Sequence, residues 1–379
     1  MRIGFDAKRA VFNMTGLGNY SRTIIQSLAA RYPDNEYSLY TPGWKDNPRL
    51  EFLRNCKNVS TVLPRGLYSG ALKSLWRSWG IRSSLKRDRL DIFHGLSNEL
   101  PFGIAGQKLA KVVTIHDLIF LRYPQYYPGL DRKIYEIKSR HACRAADIIV
   151  AVSEQTKRDI VEFYRVPPEK VRVIYQSCDP IFCRTASESE KSSVRARYNL
   201  PPQFVLYVGS IEERKNLLGL VKAVELLRKS HDLHLVAIGG GSDYKDMVAQ
   251  HVRSAGLSDR VQMRTDIAFA DFPQIYQMAQ AFVYPSYFEG FGIPIIEALW
   301  SKTPVITSKG GCFPEAAGPA SVYVSPSDPN EIADALKRVI GDSNLRAKMI
   351  AGGLSHVQKF RVETVSAQLF ELYQTLSRC

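Results

Sequence analysis

Short apolar runs alternate with longer amphipathic stretches along this chain, and they do so twice. In the first half the strand candidates are Arg2–Asp6, Glu36–Tyr40, Ile92–His94, Lys111–His116, Ile148–Val152 and Val171–Ile174. Helix candidates such as Asn19–Arg31 and Leu130–Arg144 lie between them. Parallel strands need a crossover of a dozen or more residues, usually a helix, so this alternation predicts parallel sheets in an α/β protein. Residues 176–203 are polar and carry a Pro-Pro pair near their end, which marks an interdomain stretch. A second alternation follows: Phe204–Val208, Leu233–Ile238, Val261–Met263, Ala281–Tyr284, Pro304–Thr307 and Ser321–Val324, with helices such as Leu217–Lys229, Tyr244–Ala255 and Pro329–Ile340. At 379 residues the chain exceeds one ordinary core. The expected fold is α/β with two doubly wound, Rossmann-like domains, 1–180 and 181–361, facing across a cleft at the carboxyl ends of their strands.

Composition removes several classes. Apolar residues make up 45% and charged residues 23%, as in a soluble globular protein. No apolar run reaches the roughly 18 residues of a membrane span. The opening MRIGFDAKRAVF lacks the long apolar core of a signal peptide, so a cytoplasmic protein is expected. Cys56, Cys143, Cys178, Cys183, Cys312 and Cys379 are scattered without a C-x-x-C pair, and reduced thiols are expected rather than a zinc site. The formal net charge of +14 favours acidic partners. Residues 65–89 concentrate it: Arg65, Lys73, Arg77, Arg82, Lys86, Arg87 and Arg89 stand against Asp88 alone, with Trp76 and Trp79 among them. Two readings stand. The segment is a peripheral contact with an anionic membrane at its inner face, or a solvated helix whose tryptophans pack on the core. No nucleic-acid recognition motif is present.

The segment Tyr284–Glu297, YPSYFEGFGIPIIE, carries the most chemistry. An apolar strand leads into Glu289, then Gly290, Phe291 and Gly292, and a helix opens at Ile293–Pro294 with Glu297 in its first turns. A strand, a glycine turn and a helix N-terminus suit a phosphate, because backbone N–H groups and the helix dipole point at the anion. Carboxylates only accept hydrogen bonds, which suits hydroxyl-rich sugars. Two plain surface acids fit less well. Glu289 precedes the helix, and Glu297 sits among apolar residues where it needs a partner.

Other motifs are weaker alone. Gly16-Leu17-Gly18 precedes a helix and reads as a phosphate- or acceptor-facing loop, or as a flexible loop only. It fails as a dinucleotide fingerprint, since Ser21 takes the third glycine position and no acid ends the second strand. His116 ends a strand in VVTIHDL and is either ligand-facing or structural. Gly209-Ser210 is followed by Arg214 and Lys215 at a helix start. Cations there oppose the dipole, so they are either solvated or hold an anion, most simply a diphosphate. Gly239–Gly241, with Gly240 central, permit close backbone approach to a ligand or form a plain turn.

Together these segments resemble the family 4 glycosyltransferases, retaining enzymes of the GT-B fold. GLGNYSR, VVTIHDL, ADIIVAVSE, the RKN turn, GGG, YPSYFEGFGIPIIEAL, TPVITS and PE follow the family's order over essentially the whole length. The resemblance implies that Glu289 lies at the donor sugar's hydroxyls and Glu297 at the nucleotide ribose. It implies that Arg214 and Lys215 meet the diphosphate and that His116 faces the donor sugar. Gly209, Ser210, Gly240, Gly290, Phe291, Gly292 and Ile293 would line the donor, and Gly16, Leu17 and Gly18 the phosphates and acceptor. It also implies that the C-terminal helix, within 362–379, packs back on the first domain. Ser210 replaces the basic residue many members carry there, and Trp300-Ser301-Lys302 departs from the usual small-Gly pair.

The implied reaction moves a hexosyl group, with mannosyl as one reading, from a GDP- or UDP-linked sugar to a saccharide or lipid-linked acceptor, with retention, in surface polysaccharide or glycolipid synthesis. No cofactor is expected. No D-x-D triplet is present to hold a metal, so the leaving diphosphate's charge would fall to Arg214, Lys215 and the helix start at Ile293. A nucleotide-sugar epimerase, a phosphorylase, and a silent sugar-nucleotide-binding or membrane scaffold are the alternatives.

Overall fold

A computed structural model describes residues 1–45, 47–66 and 75–377. It divides into two compact units, Met1–Cys178 with Phe360–Cys379, and Asp179–Lys359.

The first unit holds a seven-stranded, all-parallel sheet. Its strands are β1 (Arg2–Asp6), β2 (Glu36–Tyr40), β3 (Val59–Val62), β4 (Ile92–Gly95), β5 (Ala110–Ile115), β6 (Ile148–Ala151) and β7 (Val171–Val173), in the order β3-β2-β1-β4-β5-β6-β7. β3 was not among the sequence candidates. It is an edge strand reading Val-Ser-Thr-Val with its hydroxyls exposed, so it lacks the apolar run that marks the central strands. The sheet buries both faces. Phe93, Val113 and Ile149 pack under helices Ile81–Asp88 and Gly129–Ala145, while Ile3, Phe5 and Val112 pack under Gly16–Arg31 and Val362–Ser377.

The second unit repeats the plan with six parallel strands. They are β8 (Val205–Val208), β9 (Leu235–Ile238), β10 (Val261–Arg264), β11 (Ala281–Tyr284), β12 (Val305–Ser308) and β13 (Val322–Val324), ordered β10-β9-β8-β11-β12-β13. Helices Leu217–Leu227 and Pro329–Gly341 close one face through Leu220, Val224, Ile332 and Leu336. In each sheet the order reverses beside the unit's first strand, between β1 and β4 and between β8 and β11. Ligands of open α/β sheets collect at such switch points, at the strands' carboxyl ends.

The basic stretch 65–89 is divided by the fold. Lys73 lies outside the described residues. Arg77 is turned inward, its Nε 2.7 Å from Asp6 and its Nη1 2.6 Å from Glu99. Trp76 is core, whereas Trp79 is 51% exposed. Arg77 therefore neutralises buried acids and offers no charge to a surface partner.

Among the described residues no helix is long and apolar enough to cross a membrane.

Candidate active site

The switch point of the second sheet assembles from two loops. β8 runs into Gly209, and the chain turns through Glu213–Lys215 to Asn216, which sits at φ +56° and caps helix Leu217–Leu227 by accepting from Gly219 N–H at 3.2 Å. The Asn216 amide also donates to the carbonyls of Pro285 (3.3 Å) and Pro326 (2.6 Å), tying this turn to the loops after β11 and β13. Tyr287 N–H donates to Arg214 O at 2.8 Å, a second tie between the loops.

These ties place Arg214 and Lys215 against Glu289. Glu289 Oε1 accepts from Lys215 Nζ (2.9 Å) and Tyr284 OH (3.0 Å) and stands 2.9 Å from Arg214 Nη1. Lys215 Nζ also donates to Tyr284 OH at 2.8 Å, and Arg214 pairs with Glu212. All of these contacts fall on Oε1; among the described residues Oε2 carries none. Burial alone would raise the Glu289 carboxyl, but Arg214 and then Lys215 outweigh it and hold it at about 2. Burial, with the Glu289 charge beside it, pushes the Tyr284 phenol well up, so it stays a neutral donor. The two cations at a helix start thus have an anionic partner within the protein, which explains their placement before any ligand is considered.

The glycines in the neighbourhood differ in how tightly they are packed. An added Cβ at Gly239 would lie 1.8 Å from Gly209 O, and one at Gly241 2.4 Å from Ile211 O. Ile211 N–H donates to Gly240 O at 2.6 Å, so the triplet is packed against the Gly209-Ser210-Ile211 turn. Gly240 itself faces open space. Gly239 and Gly241 must therefore be glycine to pack against this turn, while Gly240, the residue expected to line the donor, has room beside it. Ser210 presents its carbonyl to Tyr207 OH at 3.0 Å.

Beyond Glu289, the buried thiol of Cys312 lies 3.1 Å from the carbonyls of both Glu289 and Phe291. Gly292, at φ +110°, opens helix Ile293–Trp300. Glu297 projects from that helix, and its Oε2 accepts from Tyr276 OH at 3.0 Å.

Two family profiles match. "Glycosyltransferase Family 4" covers residues 14–181 and "Glycosyl transferases group 1" covers residues 188–355. The chain belongs to glycosyltransferase family 4. It is a hexosyltransferase. It is 27% identical to the Escherichia coli O-antigen chain mannosyltransferase B over 394 residues, spanning 99% of this chain and 100% of that one. It is 30% identical to the Salmonella typhimurium O-antigen chain mannosyltransferase RfbU over 231 residues, 60% of each chain. The crystal structure of Anabaena HepE in complex with UDP and glucose superposes with a TM-score of 0.76 at 19% identity, covering 99% of this chain and 100% of that one, which establishes the GT-B fold.

In the first unit of the transferase, His116 follows β5 and is buried. Its Nε2 lies 2.8 Å from Leu96 O and its Nδ1 2.9 Å from Gln176 Nε2. A carbonyl can only accept and an amide nitrogen only donate, so the neutral tautomer with hydrogen on Nε2 is assigned. Burial first, opposed by the Leu96 bond and aided by Arg9, lowers its pKa to about 4. Its one N–H is thus engaged by Leu96; a sugar hydroxyl would have to displace that carbonyl. His94 is tied likewise, to Tyr373 OH at 2.6 Å and Thr114 Oγ1 at 2.8 Å, and this bond fastens helix Val362–Ser377 to β4.

Gly16, Leu17 and Gly18 do not form a loop. They are the first turn of helix Gly16–Arg31. Asn13 Oδ1 accepts from Thr15 N–H (2.8 Å) and Gly18 N–H (3.1 Å) and so bonds one N–H of that first turn. A Cβ on Gly18 would lie 1.8 Å from Asn13 O, so that glycine answers a packing demand. Arg22 locks the arrangement by donating to Ala10 O and Asn13 O, both at 2.8 Å.

Tyr284 and Cys312 were missed by sequence reasoning. Tyr284 reads as the last apolar residue of a strand, and no local pattern shows that its hydroxyl meets Glu289. Cys312 lies 23 residues from Glu289 and is joined to it only by the fold.

Proposed function

We propose that this transferase moves a mannosyl group from a nucleoside diphosphate sugar, GDP- or UDP-linked, to a saccharide or lipid-linked acceptor in the assembly of a surface polysaccharide. The two O-antigen mannosyltransferase relatives support the sugar and the setting. The observation that carries the donor site is Glu289: Lys215 and Tyr284 donate to Oε1 and Arg214 pairs with it there, which leaves Oε2 for sugar hydroxyls.

In the proposed reaction the bond from the anomeric carbon to the diphosphate breaks, and the acceptor oxygen bonds the same face. The acceptor's proton passes to the departing diphosphate, so no protein nucleophile is required. Arg214 and Lys215 meet the growing charge on the diphosphate, exchanging part of their hold on Glu212 and Glu289 for it. Glu297 takes the ribose, and His116 is a positioning residue. Among the described residues no group of three or more His, Cys, Asp and Glu side chains could hold a metal ion.

The test is a panel of GDP-mannose, UDP-glucose and UDP-galactose with a saccharide acceptor, in excess chelator. Product with retained configuration from GDP-mannose is expected. Turnover of another donor only, isomerised donor without acceptor, or loss of activity with chelator would overturn the corresponding part of the reading.

A further inference from the structure

Helix Gly129–Ala145 is built inside out. On a surface helix of a soluble protein the large apolar residues face the core. Here the buried positions are Ser139, Ala142 and Cys143. Leu130 is 74%, Ile134 41% and Ile137 52% exposed. With His141 these residues recur at spacings of four, three and four, which at 3.6 residues per turn forms one outward stripe.

The stripe does not end at the helix. The His141 ring lies 4.5 Å from that of Phe102, which stacks at 4.9 Å on the half-exposed ring of Trp79. Lys133, Arg140 and Arg144 follow the same helical spacing along one flank. Arg140 pairs with Glu136 at 2.6 Å, whereas among the described residues neither Lys133 nor Arg144 has a carboxylate partner. At the C-terminal end of the helix Arg140 and Arg144 join Arg165 and Lys170 around a hollow of about 730 Å3 that no carboxylate lines. The Arg140 guanidinium stacks there on the Tyr164 ring, 4.9 Å from its centroid.

We propose that this face docks on an anionic lipid bilayer. Leu130, Ile134, Ile137 and Trp79 would enter the interface, while Lys133, Arg144 and the basic hollow would take headgroup phosphates. Charge complementarity selects this occupant. A second copy meeting the same patch with the two helices antiparallel would bring the cationic flank against its own image, a repulsive arrangement. A bilayer accepts apolar side chains beside cations without any matched shape. The contact lies apart from the charge of Arg77, which the fold spends internally, and it stands independently of which sugar is transferred.

The experiment is co-sedimentation of the full chain with phosphatidylcholine vesicles, with and without phosphatidylglycerol. Salt-sensitive binding to the phosphatidylglycerol vesicles is expected. Ile134→Ser with Ile137→Ser should weaken it on the order of tenfold. Lys133→Gln with Arg144→Gln should weaken it roughly 25-fold, at about fivefold per cation. Melting temperatures of both variants should match the parent. Absence of binding to anionic vesicles, or equal binding by the variants, overturns the proposal. A dimer in analytical ultracentrifugation that the isoleucine substitutions dissociate would assign the stripe to a second copy instead.

Discussion

Replacing Glu289 by Gln removes one charge and almost no volume, so it isolates the electrostatics of the switch point. The carboxyl is held at about 2 against an ordinary 4.5, and the net preference for the charged form is therefore roughly 3 kcal/mol at neutral pH. Its folded pKa is depressed, so this stability is present above about 4.5 and is lost as pH falls through about 2. In Glu289→Gln the amide oxygen still accepts from Lys215 and Tyr284, but two poorly exposed cations lose their shared anion. At 2–4 °C per kcal/mol for a unit of this size, the second unit should melt about 6–12 °C lower. A nucleoside diphosphate would return negative charge to Arg214 and Lys215, so saturating GDP or UDP should raise the variant's melting point more than the parent's. Turnover should fall at least on the order of a hundredfold, because the sugar loses its acceptor group. Calorimetric melting with and without nucleotide reads both effects. An unchanged melting point, or a deficit that nucleotide leaves untouched, would refute the idea that Glu289 and the diphosphate share these cations.

Lys215→Ala should lower kcat about 10²-fold or more while the variant remains folded, measured by steady-state turnover of the donor. Cys312→Ala should raise the donor KM about fivefold through loosening of the Glu289–Phe291 loop, and Cys312→Ser should restore part of it because the hydroxyl still donates; equal kinetics in both would leave the thiol with a packing role only. His94 and His116 are lowered to about 3 and about 4, chiefly by burial, so both are neutral in the folded chain. Their contribution is full above the unfolded value of about 6.5 and is lost as pH falls from there through about 4 and 3. A melting temperature of the first unit that declines over this window, less steeply in His94→Asn, is expected from calorimetry against pH.

The alternation of apolar strands and amphipathic helices was readable because parallel strands are buried on both faces and must be joined by helices. It located twelve of the thirteen strands among the described residues, and the exception, β3, is a polar edge. The candidate site in Tyr284–Glu297 was readable for a different reason: Glu289 among glycines and Glu297 among apolar residues are placements that need an explanation from chemistry. Other readings needed the third dimension. Gly16-Leu17-Gly18 looked like a loop because Asn13's capping role is invisible until its amide oxygen is seen to face two N–H groups.

What the sequence by itself determined was periodicity and residue type, hence two α/β units, two acids in placements that call for partners and two adjacent cations. Tertiary structure decided which groups share a partner and which face of an element points outward. Arg214 and Lys215 meet Glu289 because β8 and β11 are neighbours although 72 residues separate their ends. Helix Gly129–Ala145 has the spacing of an ordinary core helix, yet it turns Ser139, Ala142 and Cys143 inward and its isoleucines out. Periodicity reports that a helix has two faces; only the packing of neighbouring elements determines which one is left to meet a partner.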